Sequence, residues 1–124
     1  MKILILGAGQ VGSTLAKYLS LDSDNDITIV DQKEEMLTPL QRHLDIKTVI
    51  GYGAYPSVLE KAGIKSMDMV IAVMRSDERN MVACRMAHTL YNVKKKIARI
   101  RTTEYLLRPE IFSNEALPID FLIT

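Results

Sequence analysis

The junction between Lys2–Leu6 and Gly7-Ala8-Gly9-Gln10-Val11-Gly12 restricts the fold more than any other part of the chain. Ile3, Leu4, Ile5 and Leu6 follow one another with no polar residue between them. A half-exposed strand would alternate, so this run predicts a strand covered on both faces. It stops at glycine, and Gln10–Leu21 then carries Val11, Leu15, Tyr18 and Leu19 at helical spacing. Parallel neighbours need a crossover of a dozen residues or more, and a buried strand turned directly into a helix is the start of one.

The remaining sequence repeats the alternation. Ile27–Val30 reads as a second strand closed by Asp31, and Glu34–Leu44 as a helix that Pro39 should either kink or begin. Thr48–Ile50 is a third short strand that stops at Gly51. Ser57–Ala62 makes a short helix, with Gly63 where a left-handed cap belongs. Met69–Val73 is a fourth strand, and Ser76 is placed to cap a long helix running to about Tyr91. Lys96–Ile100 is a fifth strand, Glu104–Phe112 a helix interrupted at Pro109, and Ile119–Ile123 a sixth strand. The pattern predicts an α/β fold: a Rossmann-type doubly wound parallel sheet of about six strands with helices on both faces.

Composition narrows the function classes. The 124 residues leave room for one domain, 1–124, with a real core. Sixteen basic residues against fifteen acidic ones leave a formal charge of +1, which argues against nucleic acid as the main partner. The single cysteine, Cys84, has no internal disulfide partner and fits a reducing compartment. No apolar stretch approaches the ~20 residues that span a bilayer, so direct membrane insertion is not expected.

Gly7-Ala8-Gly9-Gln10-Val11-Gly12 matches G-x-G-x-x-G in the context that gives the pattern meaning, after a buried strand and opening a helix. Gly7 permits the tight turn, Gly9 lets the backbone approach a pyrophosphate, and Gly12 lets the helix pack closely on the strand. Free N–H groups at the helix start then face an anion. Asp31, nineteen residues past Gly12, stands at the tip of the second strand, where a carboxylate accepts hydrogen bonds from adenosine ribose hydroxyls. Its charge disfavours a 2′-phosphate. It does not separate NAD from ATP or ADP, which share those hydroxyls. Lys33 reads as a solvated residue at a helix start.

Ligands of open α/β sheets bind at the carboxyl ends of the strands, so the other strand exits are candidate walls. Gly51-Tyr52-Gly53-Ala54 is small enough for a base edge to lie against its backbone. The backbone of Met74 and Arg75 is placed to line a nucleotide, while Ser76 and Asp77 read as a helix start. Arg99 ends the fifth strand, where a guanidinium could grip a phosphate in bidentate fashion. Lys94-Lys95-Lys96 reads as a solvated connection. Cys84 and His88 share a helix face but lack a third partner for catalysis or metal binding, and a lone helical cysteine is usually packing. The same helix has one apolar stripe of Val82, Ala83, Met86, Ala87 and Leu90. A second, of Met81, Cys84, His88 and Tyr91, is expected to mediate self-association into a homo-oligomer through the 76–91 helix.

Taken in order, Ile3–Gly12, Ile27–Asp31, Asp68–Val73, Ser76-Asp77-Glu78 with Asn80–Cys84, and Ile97–Arg101 resemble the N-terminal domain of the TrkA-type potassium-uptake regulators, the RCK or KTN nucleotide-binding family. The resemblance covers essentially the whole chain. It implies a cytoplasmic regulator, peripheral to the inner face of the membrane, that binds NAD or NADH (alternatively ATP or ADP) and controls a membrane potassium transporter subunit. By the same resemblance, ligand contacts fall on Gly7, Ala8, Gly9, Gln10, Val11, Asp31, Met74, Arg75 and Arg99. Two departures from the family's pattern stand out: Met74-Arg75 replaces small hydroxyl residues, and Tyr52 replaces a smaller or polar one. Full-length members repeat this domain and add a smaller one after each copy, so the chain is expected to be a fragment of a longer regulator. The rival reading is the cofactor half of an NAD-dependent oxidoreductase. Against it, no acid–base constellation and no substrate domain accompany the glycine motif, and no enzyme activity is expected.

Overall fold

The aliphatic run at the start of the chain forms the central strand β1 (Lys2–Leu6) of a six-stranded sheet. The computed structural model describes all residues, Met1–Thr124. The other strands are β2 (Asp26–Asp31), β3 (Lys47–Ile50), β4 (Met69–Ala72), β5 (Lys95–Arg99) and β6 (Phe121–Ile123). Their order is β3-β2-β1-β4-β5-β6, and every neighbouring pair is parallel. The helices between them are α1 (Gln10–Leu19), α2 (Glu34–His43), α3 (Pro56–Lys61), α4 (Asp77–Tyr91) and the single turn α5 (Thr103–Leu106). The doubly wound sheet expected from the alternation is the one that forms.

Successive side chains of a strand point to opposite faces, and this explains why β1 needs no polar residue between Ile3 and Leu6. Ile3 and Ile5 join Ile27, Ile29, Ile71 and Val73 in a core that also takes Ala16 of α1 and Leu37 and Leu40 of α2. Leu4 and Leu6 join Val30, Val70, Ala72 and Ala98 in the opposite core, with Leu59 of α3 and Met81, Ala83, Cys84 and Ala87 of α4. Each fully buried Leu or Ile contributes roughly 1.5–3 kcal/mol relative to an exposed one, so β1 stabilises both faces of the sheet at once.

Several local expectations hold and several shift. Gly63 takes φ +84°, and the Ser76 hydroxyl accepts the Arg79 amide as an N-cap at 3.2 Å. Pro39 neither begins nor ends α2; it lies inside a helix that continues around it. Buried Leu37 and Leu40 flank it and hold the helix to the sheet, and the Thr38 hydroxyl donates to the Glu34 carbonyl at 3.0 Å. The helix expected over Glu104–Phe112 is only α5 and a separate turn at Pro109–Ile111, with no fully buried residue to organise a longer one.

Two readings require correction. The stripe of Met81, Cys84, His88 and Tyr91 is not a free surface, because Met81 and Cys84 lie in the core. Helix α4 is rotated so that Ala83 and Ala87 also face the sheet, and the apolar residues left outside are Val82 and Leu90, 47% and 54% exposed. Lys96 is not part of a solvated run either, being 2% exposed. Its ammonium donates to the Val93 carbonyl at 2.9 Å and pairs with Asp120 at 3.6 Å. The Asp120 carboxylate also accepts the Lys96 amide at 2.7 Å, and this clamp fixes β6 beside β5.

Candidate functional site

At the carboxyl ends of β1, β2 and β4 the chain leaves a cavity of about 320 Å³, the position at which open α/β sheets bind ligands. Its floor is the glycine turn. Gly7 has φ +110°, its amide donates to the Val30 carbonyl at 2.8 Å, and a Cβ there would lie 2.8 Å from the Val73 carbonyl oxygen. A Cβ on Gly12 would come within 1.8 Å of the Gly7 carbonyl oxygen, so α1 can start this close to β1 only with glycine at that position. Gly9 differs from both: it lines the cavity, and a Cβ there would meet no protein atom within 4 Å. The space in front of the helix start is therefore open.

The end of α1 is prepared for an anion. Its cap, Gly9, offers no side chain, and its first turn contains no acid. Helices α2 and α4, by contrast, carry Glu34 and Glu35, and Asp77 and Glu78, in their first turns. First-turn amides have no intrahelical acceptors, so α1 presents donors and a positive dipole end with nothing of its own to satisfy them.

Asp31 ends β2 in the cavity wall. One carboxylate oxygen accepts the Ala8 amide at 2.8 Å and the other the Lys33 amide at 2.9 Å. These bonds lock the carboxylate and tie the glycine turn to β2. An ionised carboxylate offers about four lone-pair sites, so two remain for ligand hydroxyls. The Ala8 amide is thus engaged within the protein. Gln10 is exposed at the start of α1, and Val11 packs against the α1–α2 side of the core; neither side chain lines the cavity.

Met74 and Arg75 do line it, beside Gly51 and Gly53. The Met74 amide donates to Asn80 Oδ1 at 2.8 Å, and Asn80 Nδ2 donates to the carbonyls of Met74 and Arg99 at 3.1 and 2.8 Å. Asn80 is fully buried, so this one side chain both shapes the β4 exit and links it to the end of β5. Arg99 lies outside the cavity wall. It is the last residue of β5, paired with Ile123 of β6, and its Nε is buried without a hydrogen-bond partner. Asp77 completes the junction by accepting the Arg101 amide at 3.1 Å and the Thr102 amide at 2.8 Å. Burial pushes its carboxyl pKa up, but the Thr102 and Arg101 hydrogen bonds outweigh that and hold it below the usual value.

Lys33, Met36 and Arg79 also reach the wall, and Arg79 received no reading from the sequence. Lys33, Arg75 and Arg79 surround a single acid, Asp31, and none of the three takes part in the ion pairs of the protein. The signal for the α4 residues was present: Asp77, Asn80, Met81 and Cys84 recur at i, i+3, i+4 and i+7, which turns Asn80 inward. The cavity therefore combines free helix-start amides, a fixed carboxylate and unpaired cations, a set that fits a phosphate-bearing ligand with a vicinal diol.

The sequence profile of the TrkA-N domain family matches residues 3–122. Among curated proteins, the Trk system potassium uptake protein TrkA of Halomonas elongata is 55% identical over 124 residues, covering all of this chain and 27% of that protein. The chain thus spans about a quarter of the length of that relative. Among solved structures, the TrkA-N domain of the inner membrane protein ybaL from Escherichia coli aligns with a TM-score of 0.82 at 18% identity, over 99% of this chain and 86% of that one. The GsuK channel bound to NAD aligns with a TM-score of 0.76 at 21% identity, over 98% of this chain and 21% of that one. At these identities the structural likeness is one of fold.

Proposed function

This chain belongs to the TrkA-N domain family, and on that premise we propose that it is the NAD(H)-binding regulatory domain of a longer protein that controls a membrane potassium transporter from the cytoplasmic side. The observation that carries this reading is the cavity itself: the Gly9 opening before an uncapped helix, Asp31 locked at the β2 tip, and three unpaired cations around it. In this reading the α1 amides hold the pyrophosphate and Asp31 holds the adenosine ribose. The adenine lies against Gly51 and Gly53. A separate open depression lined by Ser76, Glu78 and Arg101 shares Arg75 with the cavity, and it is the surface proposed for the second half of a dinucleotide.

Regulation requires that the ligand bind two states of the protein unequally. A shift of the Met74–Arg75 turn on binding would pass through Asn80 to Arg99, and through Asp77 to Arg101 and Thr102. The exposed Val82 and Leu90 of α4 are the surface proposed for self-association.

Calorimetric titration with NADH, NAD, ATP and ADP tests the reading. Saturable binding with NADH or NAD preferred supports it, and preference for ATP or ADP moves the assignment to an adenine-nucleotide sensor. Absence of binding to all four refutes it. Protein-dependent loss of 340 nm absorbance from NADH mixed with carbonyl, quinone or flavin acceptors would favour the oxidoreductase instead.

A further inference from the structure

Arg79 stands where its charge is poorly served by the protein. It lies in the first turn of α4, at the positive end of the helix dipole, a location that disfavours a cation. The acids beside it are committed elsewhere. Asp77 is held by the amides of Arg101 and Thr102, and Glu78 accepts from the Ser76 and Tyr105 hydroxyls at 3.2 and 2.8 Å. Arg79 forms no salt bridge, and its guanidinium makes no hydrogen bond within the protein. Three of the other six arginines differ: Arg85 donates to Thr89 and to the Glu115 carbonyl, Arg101 to the Arg75 carbonyl, and Arg108 pairs with Glu110.

What holds Arg79 is Tyr52. The guanidinium carbon lies 4.9 Å from the Tyr52 ring centroid, and that ring packs against Tyr55 at 4.5 Å. At an exposed site such a cation–π contact changes an equilibrium only about two- to fivefold, so it parks the side chain at the cavity wall without consuming its five N–H donors. The other lining cations have no such restraint.

We propose that Arg79 reads phosphate charge in this cavity: parked over Tyr52 in the free protein, it leaves the ring to donate to a phosphate of the bound nucleotide, and so sets the preference for phosphorylated over unphosphorylated adenosine. The proposal rests on the nucleotide-binding reading above and assigns the specificity of that site to a residue outside its glycine motif. An arginine–phosphate contact is charge-assisted and can be bidentate, while Asp31 and the Gly51–Gly53 wall contact only the adenosine part. Loss of Arg79 must then fall on phosphates and spare adenosine.

The test is a ligand ladder of adenosine, AMP and ADP titrated by calorimetry into wild type and Arg79→Gln, with circular dichroism and thermal melts confirming that the variant is folded. The expected result is roughly tenfold weaker ADP binding, with adenosine affinity unchanged within about twofold. The wild-type preference for ADP over adenosine should also fall with added salt, more steeply than in Arg79→Gln. Equal weakening of adenosine and ADP, or no weakening of either, overturns the assignment of Arg79 and leaves the nucleotide reading standing. Failure of wild type to bind any rung of the ladder overturns the assignment of Arg79, and failure to bind NADH, NAD and ATP as well overturns the nucleotide reading.

Discussion

Replacing Asn80 by alanine tests how the cavity wall is held. Asn80 makes three hydrogen bonds, with the Met74 amide, the Met74 carbonyl and the Arg99 carbonyl, at 2.8, 3.1 and 2.8 Å, from a fully buried position. Asn80→Ala removes all three and leaves three backbone groups short of partners. At about 1 kcal/mol for each lost bond, the variant should be destabilised by about 3 kcal/mol. Against a typical domain stability of about 5–15 kcal/mol, that is a large fraction. With an unfolding entropy near 2.1 cal/mol/K per residue, the same loss lowers Tm by about 12 °C. Urea denaturation is the assay, with the midpoint falling while the slope stays constant. Asn80→Asp should be at least as damaging, because it keeps the acceptor for Met74, loses both donations and buries a charge. Nucleotide affinity should fall as well, since Met74 and Arg75 line the cavity. A stability loss under about 1 kcal/mol in Asn80→Ala would refute the argument, and would mean that the β4 exit is held by packing alone.

Three other outcomes are expected. Asp31→Ala should weaken nucleotide binding about ten- to a hundredfold by calorimetry, and unchanged affinity in a folded variant would remove Asp31 from the site. Cys84 is fully buried, which pushes its thiol pKa up to about 12; it should resist iodoacetamide at pH 8 until the protein is unfolded in urea, as followed by mass spectrometry. Asp77 has a depressed pKa, so its contribution to stability is present above the ordinary carboxylate value near 3.8 and is lost as pH falls through its lower folded value. Melts of wild type and Asp77→Asn between pH 6 and about 2.5 should therefore converge on the acid side, and a gap that stays constant would contradict the depressed pKa.

The unbroken aliphatic residues Ile3–Leu6 were enough to imply cover on both faces, and the glycine at their end was enough to imply a turn into a helix. These are properties of neighbours in the chain: alternation of side chains, the φ that only glycine adopts freely, and the hydroxyl that Ser76 offers three residues ahead. Asp31 was legible for the same reason, since a carboxylate closing a strand after such a turn has few other places to lie. What the sequence could not determine was rotation and adjacency. Helix α4 is apolar over most of its circumference, and only contact with β4 and β5 decided that Met81 and Cys84 face inward while Val82 and Leu90 face out. Lys96 sat in a basic run, and only the approach of Asp120 across 24 residues made its burial affordable. The cavity wall is of this second kind. Asp31, Gly51 and Met74 become neighbours because β3, β2, β1 and β4 lie side by side in the sheet, and Arg79 and Lys33 join them from helix starts that the sequence alone could orient in several ways. Arg99 shows the converse. It lies at a strand exit by sequence, but β5 is one strand further from the glycine turn than β4, and the sheet order carries it out of the wall. Local chemistry determined the elements and the glycine turn, and the order of the strands decided which side chains share the cavity with it.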